Sequence, residues 1–309
     1  MSKLIVIGHK NPDTDSIVSA IVAKDYFKSA FDIEAEARSA GELNNETKFI
    51  LETFEVSAPE MAGTLGEGDK VALVDHNDIN QMLDGSDYTR VDYVLDHHKL
   101  TLKSDAPIFC RIEPVGSTST LLAKMFAEKN ISVSETDAKL LIAGILSDTL
   151  NLTSPTTTDD DRKILEELNK IASLDIAKFA SEMFKAKSSL EGISLSDIIT
   201  LDYKNFEMGT HKVGVGTWET THPESVNEKK DEIMGALSFK KQAEDLEYIF
   251  FMVADILQQN SQLYVVGEEE QILAEKVFGQ KAEDKIIFLP GVVSRKKQVI
   301  PPLTEELTK

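Results

Sequence analysis

The chain has one cysteine, Cys110, and one tryptophan, Trp218, among its 309 residues. A single thiol excludes an internal disulfide and any zinc site built from several cysteines. Cys110 lies in the apolar run Ile108-Phe109-Cys110, which reads as a buried structural thiol rather than a nucleophile. No strip of interleaved basic and aromatic residues is present to stack a single-stranded nucleic acid. No apolar run approaches the roughly 20 residues that a membrane-spanning helix needs. The start, Met1-Ser2-Lys3-Leu4, leads into a short strand-like run without the longer apolar stretch and cleavage site of a signal peptide, so a cytoplasmic location is expected. Positive charge is also scarce. The 33 Lys and Arg residues face 53 Asp and Glu, for a formal charge of -20. Such a surface repels nucleic acid and anionic lipid unless a local basic patch overrides it, so neither partner is expected.

The length suits about two domains, each able to bury its own core. The first half alternates short apolar runs with helical patterns, as a mostly parallel sheet covered by helices requires. Leu4 to Ile7, Val71 to Val74 and Val91 to Leu95 read as buried strands. Helices fit Ser16 to Lys28, Ser117 to Glu128, Glu135 to Leu146 and Thr158 to Ile171. From about Ser194 strands dominate, at Tyr203 to Met208, Lys212 to Thr217, Tyr248 to Ala254 and Gln262 to Val266, with helices near Ser225 to Gln242 and Glu269 to Phe278. The expected fold is α/β: an N-terminal mostly parallel sheet flanked by helices, and a smaller C-terminal mixed α/β domain. The polar segment Phe179 to Ile193 suggests a hinge. The expected division is 1–187, a hinge at 188–194, and 195–309.

Four of the six histidines, His9, His76, His97 and His98, stand beside aspartates just after predicted strands. In open α/β sheets the loops at the carboxyl ends of strands converge on one crevice. Gly8-His9-Lys10-Asn11-Pro12-Asp13-Thr14-Asp15-Ser16 follows the first strand, Asp75-His76-Asn77 the second and Asp96-His97-His98 the third. Ser147-Asp148-Thr149 ends a helical pattern. Several carboxylates in one crevice repel each other unless cations lie between them. Mixed imidazole and carboxylate ligation suits Mn²⁺, Co²⁺, Fe²⁺ or Zn²⁺ better than Mg²⁺. Each segment alone has an ordinary explanation. Asp13 and Asp15 could cap a helix, Asp75-His76 could be a satisfied strand end, and Asp148 could close a helix. Two histidines behind Asp96 are harder to justify as packing, and four such segments after core elements make coincidence a poor explanation.

These four segments, in this order, resemble the DHH phosphoesterase superfamily, whose name matches the triplet Asp96-His97-His98. Within it the chain is most similar to the manganese-dependent family II inorganic pyrophosphatases, from Gly8-His9 to the basic segment Ser294-Arg295-Lys296-Lys297-Gln298. Other branches carry a glycine-rich, histidine-containing second domain that is not found here. The resemblance implies a two-metal site: His9, Asp13 and Asp75 for one ion, Asp15, Asp75, His97 and Asp148 for the other, with Asp75 shared. It further implies that Asp96 orients a histidine, that His98 faces the substrate, and that Lys204, Arg295 and Lys296 grip phosphate oxygens from the second domain. The implied ions are two Mn²⁺, with Co²⁺ or Mg²⁺ as alternatives, and additional Mg²⁺ arrives with the substrate. A homodimer formed through the first domain is also implied.

The expected reaction is hydrolysis of inorganic pyrophosphate to two phosphates by a metal-bridging hydroxide, in an active site between the two domains. Taken alone, Arg295-Lys296-Lys297 would be a solvated basic turn and Lys204 an ordinary strand-surface lysine. One rival is a phosphoesterase acting on polyphosphate ends or nucleotides, with a roomier and more aromatic substrate side. Another is a sensor that binds a phosphate compound without cleaving it, which a missing metal ligand would favour; none is missing.

Overall fold

The first apolar run, Leu4–Ile7, is strand β1, buried at all four positions, in a computed structural model of the chain that describes residues 3–63, 68–83, 88–190 and 192–309. The chain divides into two units, Met1–Lys187 and Ser188–Lys309.

In the first unit β1 is followed by α1 (Thr14–Phe31), β2 (Ala35–Arg38), α2 (Asn45–Thr53), β3 (Lys70–Val74), β4 (Val91–Asp96) and β5 (Phe109–Ile112). Helices α3 (Thr118–Glu128), α4 (Glu135–Asp148), α5 (Asp159–Ala172) and α6 (Ile176–Lys187) complete it. The five strands are all parallel, in the order β2-β1-β3-β4-β5. After β1 the chain steps to one side for β2 and returns on the other side for β3. That reversal opens a crevice beyond the carboxyl ends of β1 and β3. Apolar runs such as Val71 to Val74 are buried throughout, as a parallel sheet covered on both faces demands. Helix α1 packs on α3 and α4, and α4 on α5. Each helix start is marked chemically. Asp13, Asn44, Ser117, Ser134 and Thr158 all accept a backbone N–H at an N-cap.

The second unit holds α7 (Leu195–Thr200), β6 (Asp202–Met208), β7 (His211–Thr220), α8 (Glu224–Asn227), α9 (Lys230–Ala243), β8 (Tyr248–Asp255) and β9 (Asn260–Val265). Then come α10 (Glu268–Phe278), β10 (Ala282–Glu283), β11 (Ile286–Pro290), a π-helical turn at Arg295–Val299 and α11 (Ile300–Leu307). The sheet order is β10-β11-β9-β8-β7-β6, with β7 and β8 parallel and the other neighbours antiparallel. Strand β8 serves two cores. Phe250, Met252 and Ala254 face one, and Ile249, Phe251 and Val253 face the other, because successive side chains point to opposite faces.

Three expectations need correction. Cys110 is exposed, not buried, because its apolar run becomes the edge strand β5, with a neighbour on one side only. The hinge does not begin at Phe179. Phe179, Ala180, Met183 and Phe184 form the buried stripe of α6; of the lysines that suggested a linker, Lys185 is exposed and Lys187, the last residue of the helix, turns its ammonium to the buried Glu46. Of the segment 188–194, Ser188 and Leu190 are buried and Ser188 hydrogen-bonds Thr221 within the second unit. Glu191, like Met1 and Ser2, lies outside the described residues. The single helix expected over Ser225 to Gln242 is two, α8 and α9. No helix among the described residues is long and apolar enough to cross a membrane.

Candidate metal centre

Three strands and two helices deliver their ends to the crevice. His9 follows β1, and Asp13 caps α1 through Ser16 N–H at 3.0 Å while Asp15 sits in the first turn. Asp75 follows β3, His97 and His98 follow β4, and Asp148 ends α4. The structure brings the predicted ligands into two groups that share Asp75: His9, Asp13 and Asp75, and Asp15, Asp75, His97 and Asp148. Within each group one donor atom per residue lies within 4.8 Å of the others. His9 Nε2 is 3.5 Å from both Asp13 Oδ2 and Asp75 Oδ2, too far for a strong hydrogen bond. His97 Nε2 is 3.2 Å from Asp75 Oδ1 and 3.4 Å from Asp148 Oδ2. Asp75 is aimed by its backbone, which takes the left-handed φ of 62°, a conformation that an aspartate adopts at some cost.

Orphaned atoms test whether ions belong here. Asp75 Oδ2 and His97 Nε2 are buried without a hydrogen-bond partner among the described residues, and both point into the cluster. His97 Nδ1 is 2.9 Å from Val115 O, so it donates there and leaves the Nε2 lone pair available to a metal. Two carboxylates about 4 Å apart repel by about 4 kcal/mol at an effective dielectric of about 20, so three of them require countercharge. In the metal-free chain protons supply it. Burial opposes charge on His9, yet Asp13 and Asp75 push its pKa up to about 10. Burial likewise opposes charge on His97, which Asp75 and Asp15 push up to about 9. Burial and Asp75 push Asp15 up to about 6. Asp148 is raised well above the carboxylate range by burial and by Asp15 and Asp75. Asp75 is held below that range; burial opposes this, but the nearby imidazoles of His9 and His97 prevail. The donor set fits divalent ions that accept both imidazole and carboxylate.

Asp96 does not enter the crevice. Its Oδ1 accepts the backbone N–H groups of His97 and His98 at 2.8 and 3.1 Å and faces His98 Nδ1 at 2.9 Å. Its Oδ2 accepts Asn77 Nδ2 at 2.5 Å. Asn77 is thus a clamp between the two loops, since its Oδ1 also accepts Thr101 N–H at 2.6 Å. His76 turns its Nδ1 to Val74 O at 2.9 Å and joins neither ligand group. His98 remains half-exposed, and the Asp96 carboxylate raises its pKa.

Sequence reasoning missed what holds Asp15. Its Oδ1 accepts Ser117 Oγ at 2.8 Å and Ser119 N and Oγ at 3.1 and 2.5 Å, and its Oδ2 accepts Thr118 N at 2.7 Å. Thr118 Oγ1 also donates to Asp75 Oδ1 at 3.1 Å. Gly116-Ser117-Thr118-Ser119-Thr120, a run of small hydroxyl residues opening a helix after a strand, was the available signal. Two glycines make room. A Cβ at Gly8 would overlap Ser16 Oγ, and one at Gly144 would overlap Ser119 Oγ and Asp15 Oδ1.

The cations expected to grip substrate lie in the second unit. Arg295, 10% exposed, donates to Asp202 O and Val215 O at 2.5 and 3.1 Å and pairs with Asp202 Oδ1 at 2.7 Å. Asp202 and Lys204 are two apart on β6 and share a face, so Arg295 is docked beside the strand that carries Lys204. Gln298 Oε1 ties the same loop by accepting Val293 and Ser294 N–H, both at 3.0 Å. Lys204 and Lys296 are exposed, and neither forms an ion pair among the described residues.

Comparison with known proteins agrees with this geometry. The model of the DHH family, N-terminal domain, matches residues 3–145, and that of the DHHA2 domain matches residues 181–306. The chain is 38% identical to a protein of Exiguobacterium sp. and 40% identical to one of Lactobacillus acidophilus, over 100% and 99% of both chains respectively. Each relative is named "Probable manganese-dependent inorganic pyrophosphatase". A solved structure from Methanococcus jannaschii, described as a "putative family II inorganic pyrophosphatase", superimposes with a TM-score of 0.62 at 37% identity, covering 99% of this chain and 100% of that one. An exopolyphosphatase-related protein from Bacteroides fragilis shares the fold, with a TM-score of 0.50 at 14% identity over 99% of this chain and 92% of its own.

Two predictions follow from the protons and the packing. Loading Mn²⁺ at pH 7.5 should displace about two protons per chain from His9 and His97, read by calorimetry in buffers of different ionisation enthalpy. Both histidines bind protons more tightly when folded, so their contribution to metal-free stability is complete below the ordinary 6.5 and vanishes as pH rises through about 9 to about 10. Uptake without proton release would contradict the assignment. Separately, Gly144→Ala should push Asp15 aside and weaken Mn²⁺ binding about tenfold or more, with an overpacking cost of about 1–3 kcal/mol in thermal melts. Unchanged Mn²⁺ affinity would remove Asp15 from the ligands.

Proposed function

The chain belongs to the manganese-dependent inorganic pyrophosphatases, and from that membership and the acidic crevice we propose that it hydrolyses inorganic pyrophosphate to two phosphates. The observation that carries this reading is the pair of ligand groups sharing Asp75 at the switch point of the sheet. We assign His9, Asp13 and Asp75 to one Mn²⁺ and Asp15, Asp75, His97 and Asp148 to a second, with Co²⁺ or Mg²⁺ as replacements and further Mg²⁺ carried in by the substrate. When bound, such ions lower the pKa of water and neutralise charge on phosphoryl oxygens.

The chain's own groups do the rest. Asp96 fixes the Nδ1 side of His98 and raises its pKa, so that when the ring is protonated Nε2–H can donate to a phosphoryl oxygen. Lys204 and Lys296 act as point charges and Arg295 as a planar donor. Because Arg295 already spends donors on Asp202 O and Val215 O, it meets the anion in a fixed orientation, which is what transition-state stabilisation needs. The single exposed cysteine, with no disulfide partner, suits a reducing cytoplasm. The open edge of β5, with Phe109 41% exposed and Leu100 65% exposed, supports a homodimer built through the first unit.

Phosphate release from pyrophosphate, tripolyphosphate and a nucleoside triphosphate, after chelation and reloading with Mn²⁺, tests the substrate. Pyrophosphate should be preferred and Lys204→Ala or Lys296→Ala should cost about 100-fold in kcat/KM with metal content unchanged. Preference for the longer substrates would move the function to a polyphosphate or nucleotide phosphoesterase, and no hydrolysis would leave a binding protein. For the assembly, Phe109→Asp should convert a dimer to monomer in sedimentation analysis, and a wild-type monomer would discard the dimer.

A further inference from the structure

A second buried carboxylate lies behind the metal ligands. Glu46, in the first turn of α2, is fully buried. Its Oε2 accepts Thr14 Oγ1 at 2.9 Å and Ser147 Oγ at 2.8 Å and pairs with Lys187 Nζ at 3.2 Å. Lys187 Nζ also lies 3.4 Å from Ser147 Oγ, and Thr14 Oγ1 lies 3.1 Å from Thr47 Oγ1. The other oxygen, Oε1, has no hydrogen-bond partner among the described residues.

This is a costly arrangement for packing alone. A buried carboxylate with one unsatisfied oxygen and a single counter-ion contributes little to stability compared with an apolar side chain of the same volume. What the carboxylate does hold is specific. Thr14 stands between Asp13 and Asp15, and Ser147 precedes Asp148. One oxygen therefore ties the start of α1 to the end of α4, two segments separated by more than a hundred residues, at the neighbours of three ligands. Lys187, the last residue of α6 and of the first unit, supplies the charge that allows Glu46 to remain there.

We infer that Glu46 and Lys187 are a positioning pair: they set the separation of Asp15 and Asp148, and so shape the four-ligand metal position without touching the ion or the substrate. The inference rests on the two-ion reading of the crevice. It goes beyond the ligands themselves, since removing the pair leaves every ligand in place but loosens the distance between two of them.

The test is Mn²⁺ binding, resolved into two affinities by equilibrium dialysis with metal analysis and by electron paramagnetic resonance, alongside thermal melts of the metal-free protein. Wild type should bind two ions per chain. Lys187→Met should weaken one of the two by about tenfold or more and leave the other within about threefold, and Lys187→Arg should restore it. Glu46→Gln, which keeps the volume and loses the ion pair with Lys187, and Ser147→Ala, which loses the hydroxyl shared with Glu46 and Lys187, should weaken the same position and carry the test if Lys187→Met does not fold. Two wild-type affinities in all folded variants would overturn the inference, as would equal weakening of both positions in proportion to the loss of melting temperature. A wild-type chain that binds fewer than two ions would overturn the two-ion reading first, and this inference with it.

Discussion

Everything in the first unit is arranged around a carboxylate that cannot be left alone. Asp75 is 1% exposed, its Oδ2 has no hydrogen-bond partner among the described residues, and further acids crowd it. Burial of a charge is tolerated only with close countercharge, and the sheet provides it by ending three neighbouring strands at one place. The order β2-β1-β3-β4-β5 makes this possible. With β3 between β1 and β4, Asp75 stands centrally, His9 on one side and His97 on the other. The left-handed backbone at Asp75 turns the chain so that its carboxylate, rather than its carbonyl, faces both imidazoles. Strain of that kind, roughly 1–3 kcal/mol, persists only where surrounding contacts fix it, and here the Asp75 N–H is bonded to Leu95 O at 3.0 Å.

The rest of the unit shows how a fold keeps several acids at short range without an ion to glue them. Asp15 is held by hydroxyl and amide donors at the start of α3, and the loop carrying those donors is itself gripped by Asp161, which accepts Gly116 N–H at 2.9 and 3.0 Å and Thr120 Oγ1 at 2.6 Å. Asp161 belongs to the capping box that opens α5. A helix-start device thus reaches the crevice through two relays of hydrogen bonds. Beyond Asp148, Leu150, Asn151 and Leu152 all take positive φ. Such a run costs about 1–2 kcal/mol per residue. It is tied down by Asn151 N–H to Leu146 O at 2.9 Å and by Arg162 to Leu152 O at 3.0 Å, which stops α4 at the residue that must face the crevice.

Much of this was legible in the residues. The apolar runs of β1 and β3 are uninterrupted and that of β4 is broken only by Asp92, and each leads into an Asp-His or Gly-His step, so strand and site announce each other. Helices α3 to α5 carry their caps in plain view. The losses have physical causes. Strand β2, Ala-Glu-Ala-Arg, is half-buried at every position and has no apolar run to mark it. Cys110 was misplaced because an edge strand and a central strand can share the same composition, and only the pairing decides which is exposed. Glu46 was invisible because a glutamate in the first turn of a helix is expected for dipole reasons alone, and nothing local distinguishes one that is fully buried. The ligands needed the family resemblance to be assigned to particular ions, whereas their convergence on one crevice followed from strand ends alone.

Charge at long range and charge at short range act oppositely in this molecule. A net charge of -20 would repel a phosphate anion, but beyond about 8 Å that repulsion is largely screened at physiological ionic strength. What an approaching anion meets is therefore set by the nearest groups. In the second unit the exposed cations Lys204 and Lys296 and the strand-anchored Arg295 are proposed for that role. In the first the nearest groups are acids whose sign can be reversed only by cations bound among them. An acidic crevice without ions would repel a phosphate anion that the same crevice with ions could attract. The acidic composition discourages anionic polymers from the surface at large, while a divalent ion held by the crevice carboxylates would concentrate attraction for a small anion at one point.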